Sequence, residues 1–422
     1  MTPADQTPLH PWHVQNKARM GTFGGYSMPL WYPTGARAEH LAVITAAGLF
    51  DTSHMSIIRL SGPGAFDLLH YCFSADLRPG KGTGDSPPPP GKCAYGVFLD
   101  DGGRVIDDAV VYVLHADEYM VVVNAGMGPI VAGHLGNHVK ERPVRIDDRT
   151  GRLAKLDLQG PLSARVLRQV LDQPGAVLER FPYFTFQGSL PGGPVVHRDV
   201  RLADGTGILL SRTGYTGEFG FELFVAPAAL ENLWCSLLKP AGQETVLPCG
   251  LAARDSLRAG AVLPLSHQDI GAWVFQNNPW TFALPHGPEP NTFTKPFLGA
   301  DALLRARAES YTYPFAGFDL RKIDVEQARV LNRSEKEIGR VSTCVTDMAI
   351  DRHEGRIYSL AGPDKPDGHS PKGLCCGFVI VSEPLQTGET VFLVDRRRRL
   401  PAEIVAGIRP HRTARNRIED MR

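Results

Sequence analysis

Alternating apolar and polar positions are clearest in residues 211–225 (SRTGYTGEFGFELFV). Three glycines there precede apolar residues that alternate with Glu222 and Phe224. A period of two predicts a strand, and glycines let the preceding backbone turn sharply or approach a ligand closely. Glu222 therefore lies on an apolar strand just after a glycine-rich turn. On the pattern alone, it either serves a site or faces water.

Upstream, the pattern predicts strands interleaved with helices. Glycine, proline and aromatic residues at 21–36 favour an irregular packed loop. Helical spacing of Leu41, Ile44 and Ala47 predicts a helix over 37–48 that stops at Gly48. The next predicted elements are a strand, turn and helix at 57–72, a hairpin at 93–114 with its turn at 100–103, a strand at 119–124 and a helix at about 128–138.

The middle of the chain predicts a strand at 153–160 and a helix with Ser163 as its N-cap. Two strands, 195–210 and 207–225, are expected to form a hairpin around 203–207. Helices are predicted at 227–238 and 249–263. Residues 264–296 are rich in proline, asparagine and tryptophan. Such a long irregular segment either carries function or links domains.

From about residue 315, five short apolar segments separated by glycine- and proline-rich turns predict a small β-barrel or sandwich. Polar residues at 351–374 indicate a loop insertion, and the proline run at 86–91 indicates a stiff surface insertion. Helices and strands are mixed rather than strictly alternating along the chain. The predicted fold class is therefore α+β.

Composition sets limits on function. The chain has 422 residues and equal numbers, 45 each, of basic and acidic side chains. This length predicts two or three domains, and the zero formal charge argues against general nucleic-acid binding. No apolar run is long enough to span a bilayer, and the first twenty residues lack a secretory pattern. The seven cysteines show no CxxC spacing, so we expect a cytoplasmic location, reduced thiols and no metal site.

An acidic pair, Asp107 and Asp108, opens the apolar second strand of the hairpin at 93–114. Acidic residues are disfavoured inside strands. The pair therefore either sits in solvent at a strand end or has a function.

Several segments match one family in the same order along the chain. They are GGYSMPLWY (24–32), EHLAVITAAGLFDTSHM (39–55), LSGPGA (60–65), CAYGVFLDDGGRVIDD (93–108), VVVNAG (121–126), LQGP (158–161), SRTGYTGEFGFEL (211–223), GLAARDSLR (250–258), LPLSHQDI (263–270) and TKPFLGADAL (294–303). In these segments the chain resembles the glycine cleavage T-protein (aminomethyltransferase) family. The resemblance spans nearly the whole chain up to about residue 305 and is weaker beyond.

The resemblance implies three domains around a central channel. Residues 1–59 plus 146–290 would form a discontinuous folate-binding domain. Residues 60–145 would form an α+β domain, and residues 310–422 a C-terminal β-barrel domain.

The resemblance also implies tetrahydrofolate as cofactor and assigns roles to residues. Asp108 matches the catalytic aspartate, and Glu222 matches the glutamate that binds the pterin edge. A carboxylate suits adjacent N–H donors, flat rings suit aromatic walls, and an anionic tail suits guanidinium groups. The other matching positions are Tyr95, Tyr112, Asn124, Tyr215, Arg254 and Arg412.

The implied function is aminomethyl transfer from the lipoyl arm of a carrier protein (an H-protein) to tetrahydrofolate, with release of ammonia. Two alternatives stay open from the sequence. One is a tetrahydrofolate-dependent demethylase of a small methylated compound, and the other is a folate-binding regulatory protein without catalysis.

Two departures from the family pattern motivate these alternatives. The chain has Ala259-Gly260 where the family usually has Leu-Glu. It also carries bulky aromatic residues at 271–282, which would suit an apolar donor.

Overall fold

The computed structural model describes residues 3–78, 88–141, 143–239, 246–307 and 309–421. The predicted insertion at 86–91 lies partly outside these ranges, at Ser86 and Pro87. Three larger sheets organise the described residues: one of six strands, one of five strands and a closed six-stranded barrel. They confirm the α+β class and the predicted C-terminal barrel. No helix within these ranges has the length and apolar character needed to span a membrane.

The six-stranded sheet carries Glu222. Its strands in spatial order are Phe186–Gly188, Leu209–Ser211, Gly220–Val225, Ala154–Gln159, Ala47–Asp51 and Val246–Pro248. The antiparallel register places Asp157 opposite Glu222. All residues of the two strands that carry this pair are buried. Polar side chains on these strands must therefore find partners within the protein.

The five-stranded sheet is antiparallel and carries Asp108. Its strands in spatial order are Cys93–Leu99, Val105–His115, Glu118–Val123, Ser56–Ser61 and Arg145–Asp148. The predicted hairpin is confirmed, with Gly103 at a φ of 74° in its turn. The domain boundaries predicted after residues 59 and 145 fall within two of these strands, and the division into three domains stays a prediction.

The two sheets pack face to face. Phe186, Leu209 and Phe224 of the six-stranded sheet share one apolar cluster with Tyr112 and Val122 of the five-stranded sheet. Because burial of apolar area drives this packing, polar side chains beside the cluster are brought together from both sheets.

The barrel consists, in spatial order, of Tyr311–Ala316, Leu374–Val381, Glu337–Asp347, Arg329–Leu331, Thr390–Val394 and Arg399–Ile404. Its interior is filled by aliphatic side chains such as Val341 and Val379. The barrel contacts the rest of the protein through Phe378, whose ring lies 5.3 Å from that of Trp280. Arg409 forms a second connection, since it is buried and pairs with Glu218 at 3.0 Å.

The α-helices of the described residues are His10–Gln15, Ala36–Thr45, Ala65–Cys72, Gly128–Asn137, Ser163–Val170, Pro174–Leu178, Leu230–Leu238, Leu251–Gly260 and Ala300–Arg305. Short 3₁₀ turns occur at Pro227–Ala229, Thr281–Ala283, Val325–Gln327 and Ile418–Asp420. There are also two smaller sheets. The first has three strands, Asp5–Gln6, Tyr26–Trp31 and Arg19–Phe23, and the second has two, Ile350–His353 and Arg356–Ser359.

Two predicted loops contain hairpins, although residues 360–373 of the second have no helix or strand, as predicted. Residues 21–36 contain most of a hairpin, because Gly24 and Gly25 adopt φ values of 55° and 85° and form a two-residue turn. Residues 351–374 overlap a second hairpin, whose turn contains Glu354 and Gly355 at positive φ. In both cases the turn residues decide the structure despite a polar or proline-containing sequence.

The helix predicted over 37–48 ends at Thr45, and Gly48 lies in the following strand. A Cβ at Gly48 would meet the side chains of Val43 and Cys249, so glycine serves close packing there rather than helix termination. Ser163 is not an N-cap. It is the first helical residue, and its hydroxyl donates to the carbonyl of Gly160 at 2.7 Å.

The strand predicted at 195–210 is also wrong in extent. Val196, Arg201 and Leu202 form isolated bridges only, and the regular strand is Leu209–Ser211. The turn expected around 203–207 is present, because Arg201 bridges to Gly207 and the Leu202 N–H donates to the carbonyl of Thr206 at 2.9 Å. Beyond this turn, Leu209–Ser211 pairs with Phe186–Gly188 and Gly220–Val225.

Candidate active site

Asp107 and Asp108 occupy consecutive positions of a strand, and the amide of Asn124 contacts both. Its Nδ2 donates to Asp107 Oδ1 at 2.8 Å and to Asp108 Oδ1 at 2.6 Å. The backbone N–H of Asn124 also donates to Asp107 Oδ2 at 2.9 Å. Asp107 is fully buried, whereas Asp108 is half-buried. The acidic pair is therefore a hydrogen-bonded group and not a solvated strand end.

The hydroxyl of Tyr95 donates to Asp108 Oδ2 at 2.8 Å. Each oxygen of this carboxylate thus accepts a hydrogen bond, which fixes its orientation. Burial, followed by the negative charge of Asp107, raises the pKa of Asp108 to about 6. A carboxyl group with a pKa near neutrality can exchange a proton under physiological conditions.

The irregular segment 264–296 folds back onto Asp107. Ser266 donates to Asp107 Oδ1 at 2.8 Å, and His267 Nε2 lies 3.6 Å from the same oxygen. This close approach to the Asp107 carboxylate raises the pKa of His267. His267 adopts a left-handed backbone conformation, with φ of 62°.

Glu222 accepts hydrogen bonds at both carboxylate oxygens. Lys155 Nζ lies 2.7 Å from Oε1, while Tyr112 and Thr213 donate to Oε2 at 2.8 Å and 2.6 Å. The glutamate side chain is only 10% exposed. A carboxylate has about four lone-pair positions, so the present contacts leave room for about one further donor.

Lys155 also pairs with Asp157, which pairs in turn with Arg254 Nη1 at 2.6 Å. Burial opposes ionisation of Asp157, but the charges of Lys155 and Arg254 outweigh it and lower its pKa to about 2. The guanidinium of Arg254 lies over the ring of Tyr215 at 5.0 Å. Acidic and basic groups therefore alternate from Glu222 to Arg254.

The predicted site residues form two groups. The first group consists of Tyr95, Asp108 and Asn124. The second consists of Glu222, Tyr112 and Arg254, which are connected through Lys155 and Asp157. Tyr215 is close enough to both groups that the charges of Asp108 and Arg254 affect its pKa. Its hydroxyl donates to the carbonyl of Pro264.

Arg412 lies apart from these contacts. It is exposed and donates to the carbonyl of Ala261, close to Gly217 in the glycine-rich turn.

Sequence reasoning missed Lys155, Asp157, Thr213 and Ser266. A signal for the first two exists, because they alternate with Leu156 and other apolar residues in the strand Ala154–Gln159. Lysine and aspartate on one face of an otherwise apolar strand indicate either a solvated face or a buried ion pair. Both faces of this strand are buried, so Lys155 and Asp157 form a buried ion pair.

The space beside Gly260 is filled. A Cβ at this position would overlap the carboxylate of Asp347 and the guanidinium of Arg409. These two buried side chains pair with each other at 2.5 Å, and His40 Nε2 lies 2.9 Å from Asp347. A carboxylate from the barrel thus occupies the volume that a larger residue at 260 would enter.

The aromatic segment 271–282 has two roles. Trp280 is fully buried, and its Nε1 donates to the carbonyl of Val262 at 3.0 Å. Phe282 is 57% exposed, and its ring lies 5.6 Å from that of Tyr95. Phe282 therefore extends the aromatic surface next to Asp108.

Comparisons with known proteins place these residues in a family context. Residues 9–276 match the family model described as the GCVT N-terminal domain. Aminomethyltransferase of Symbiobacterium thermophilum is 34% identical over 401 residues, covering 93% of this chain and 98% of that protein. Aminomethyltransferase of Chlorobium limicola is 32% identical over 374 residues, covering 86% of this chain and 93% of that protein.

A solved structure agrees with the sequence relatives. The crystal structure of glycine cleavage system aminomethyltransferase T from Bartonella henselae matches with a TM-score of 0.73 and 26% identity. The match covers 95% of this chain and 96% of that one. By sequence and by fold, this chain belongs to the glycine cleavage T-protein family.

Proposed function

We propose that this protein is a tetrahydrofolate-dependent aminomethyltransferase. It would take an aminomethyl group from the lipoyl arm of a carrier protein, release ammonia and form methylenetetrahydrofolate. The observation that carries the proposal is near full-length similarity to proteins named aminomethyltransferase. Neither the demethylase nor the regulatory alternative is favoured by these relatives.

The described residues fit tetrahydrofolate in their chemistry. Glu222 would accept a hydrogen bond from the pterin edge at its remaining lone-pair position. Tyr95 and Tyr215 would supply ring contacts, and the buried Tyr112 would act through the hydrogen bond from its hydroxyl to Glu222. Arg254 and Arg412 would pair with the anionic tail. A contact from two pterin donors would require Lys155 or one of the hydroxyl donors to release Glu222.

Asp108 would be the catalytic residue. Tetrahydrofolate supplies the nucleophilic nitrogens that accept the carbon. Ionised Asp108 would stabilise positive charge that develops beside it, and Oδ1 or Oδ2 would hold the proton that is displaced. Tyr95 and Asn124 would keep the Asp108 carboxylate in place, while the charge of Asp107 would keep the pKa of Asp108 close to the working pH.

The carrier protein and the location follow from the same proposal. We expect a lipoylated H-protein as partner, in keeping with the glycine cleavage system named for the solved relative. We also expect a cytoplasmic location, because an odd number of cysteines without CxxC spacing suits a reducing compartment.

The test is an ammonia-release assay with purified protein, aminomethylated lipoyl carrier and tetrahydrofolate. We expect ammonia and methylenetetrahydrofolate in equal amounts. Asp108→Asn should lower kcat by about 10²–10⁴, the usual size of a general acid–base contribution. Folate affinity should change little, because the variant keeps Glu222 and Arg254. Ammonia release at the blank rate in wild type would contradict the proposal.

A further inference from the structure

A second group of chemically active side chains lies on the helices that cover the five-stranded sheet. Cys72 ends the helix Ala65–Cys72, and His134 lies in the last turns of Gly128–Asn137, with His138 directly after it. The Cys72 sulfur and one nitrogen from each histidine lie within 4.8 Å of one another. Nothing in the proposed aminomethyl transfer uses these three residues.

The histidine spacing suits metal binding. His134 and His138 are four residues apart, so both rings lie on the same side of the helix end. Their ring centroids are 4.9 Å apart. His138 Nδ1 lies 2.9 Å from the carbonyl of His134 and must act as donor there. A neutral ring in this tautomer keeps its lone pair on Nε2, which is how metal-binding histidines are commonly oriented.

His134 provides an independent indication. Its Nε2 is buried and has no hydrogen-bond partner among the described residues. An unsatisfied buried polar atom costs free energy and calls for an explanation such as an ion. The ring packs against Phe98 at 6.2 Å, which restricts its orientation.

We propose that Cys72, His134 and His138 form a binding site for Zn²⁺ that joins the ends of two helices. One thiolate and two imidazoles match the ligand preferences of zinc, with a water molecule in the fourth position. Small side-chain rotations would bring the three atoms to the usual zinc distances of about 2.0–2.3 Å. On binding, the Cys72 thiol releases its proton to solvent and the metal–sulfur bond forms, with no change in oxidation state.

The test uses Co²⁺ and Zn²⁺ alone, on full-length protein freed of metal by dialysis against a chelator. We expect one Co²⁺ per chain, a thiolate-to-cobalt charge-transfer band, and loss of that band when Zn²⁺ is added. Zn²⁺ should also raise the Tm, since it binds only the folded site. The readout is independent of aminomethyl transfer, so the two proposals can fail separately.

Variants identify the ligands. His134→Ala and His138→Ala should each weaken Co²⁺ binding at least about tenfold, and Cys72→Ser should remove the charge-transfer band. The two histidine variants keep the test readable if Cys72→Ser fails to fold, since both histidines are only half-buried. The controls His115→Ala and Cys235→Ala should leave binding unchanged. Absence of the band in wild type, or unchanged affinity in both histidine variants, would overturn the proposal.

Discussion

The ammonium group of Lys155 lies 2.7 Å from Oε1 of Glu222, on two neighbouring strands of the six-stranded sheet that are buried on both faces. The lysine is 3% exposed and simultaneously pairs with Asp157. One cation therefore balances two buried carboxylates, with Arg254 adding the second positive charge. The candidate folate site depends on this balance for its stability and for the orientation of Glu222.

Lys155→Met should lower the free energy of unfolding by about 3–5 kcal/mol, because it leaves buried carboxylates without their cation. Urea denaturation measures the change. Lys336→Met is the matched control, since Lys336 pairs with Glu383 at 3.0 Å on the surface. That exposed pair should contribute at most about 1 kcal/mol. Equal effects of the two substitutions would argue against the buried network.

Glu222→Gln should weaken tetrahydrofolate binding by a factor of tens to thousands, or about 2–5 kcal/mol, because a charged acceptor is lost. Isothermal titration calorimetry on both proteins measures the change. Glu231→Gln, in the helix Leu230–Leu238, is a control that should bind like wild type. If Glu222→Gln also binds like wild type, Glu222 does not contact the cofactor.

The pH dependence of turnover should report Asp108. Its pKa of about 6 means that the carboxylate becomes protonated below that pH. If the ionised form is active, kcat/KM should fall about tenfold per pH unit below pH 6. A rate profile of wild type against Asp108→Asn checks this, and the residual activity of the variant should lack that transition. A wild-type profile that is flat from pH 5 to pH 7 would contradict the assignment.

The same pKa predicts a stability effect of definite sign. Asp108 has an ordinary pKa of 3.8 when unfolded and about 6 when folded. Between these values the folded state binds more protons, so the free energy of unfolding falls as pH rises through this window. Chemical denaturation from pH 4 to pH 7 should show this contribution in wild type, and it should be absent in Asp108→Asn.

Gly260→Glu, which introduces the residue usual in the family, should destabilise the protein by about 1–3 kcal/mol through overpacking. The new side chain would overlap Asp347 and Arg409. Adding Asp347→Ala should recover part of the loss, because it removes the carboxylate that occupies the space needed by the new glutamate side chain. Gly133→Glu, on an open helix surface, is the matched control and should be near neutral. Thermal unfolding of the four proteins separates these outcomes.

The sequence predicted the elements whose patterns are local. The hairpin with Asp108 and the strand with Glu222 follow from alternation and turn residues, and the resemblance named both carboxylates. Lys155 escaped because its partner, Glu222, lies 67 residues away. Alternation shows which residues share a strand face but not which strand pairs with it. The hairpin at Gly24 and Gly25 was not predicted for a different reason, because nearby prolines and aromatic residues obscured a strong turn signal.

The hydrogen bond from Tyr112 to Glu222 joins residues of two different sheets, which also meet through apolar side chains and through a contact of 3.8 Å between Cys93 Sγ and Ser211 Oγ. The carboxylate proposed to hold the pterin is thus oriented partly by a neighbouring unit of the fold. Separation of the two sheets would abolish that orientation before either sheet had melted. Cofactor binding and association of the two sheets are therefore coupled equilibria. A saturating ligand stabilises the associated state, so the two sheets would then unfold together as one cooperative unit.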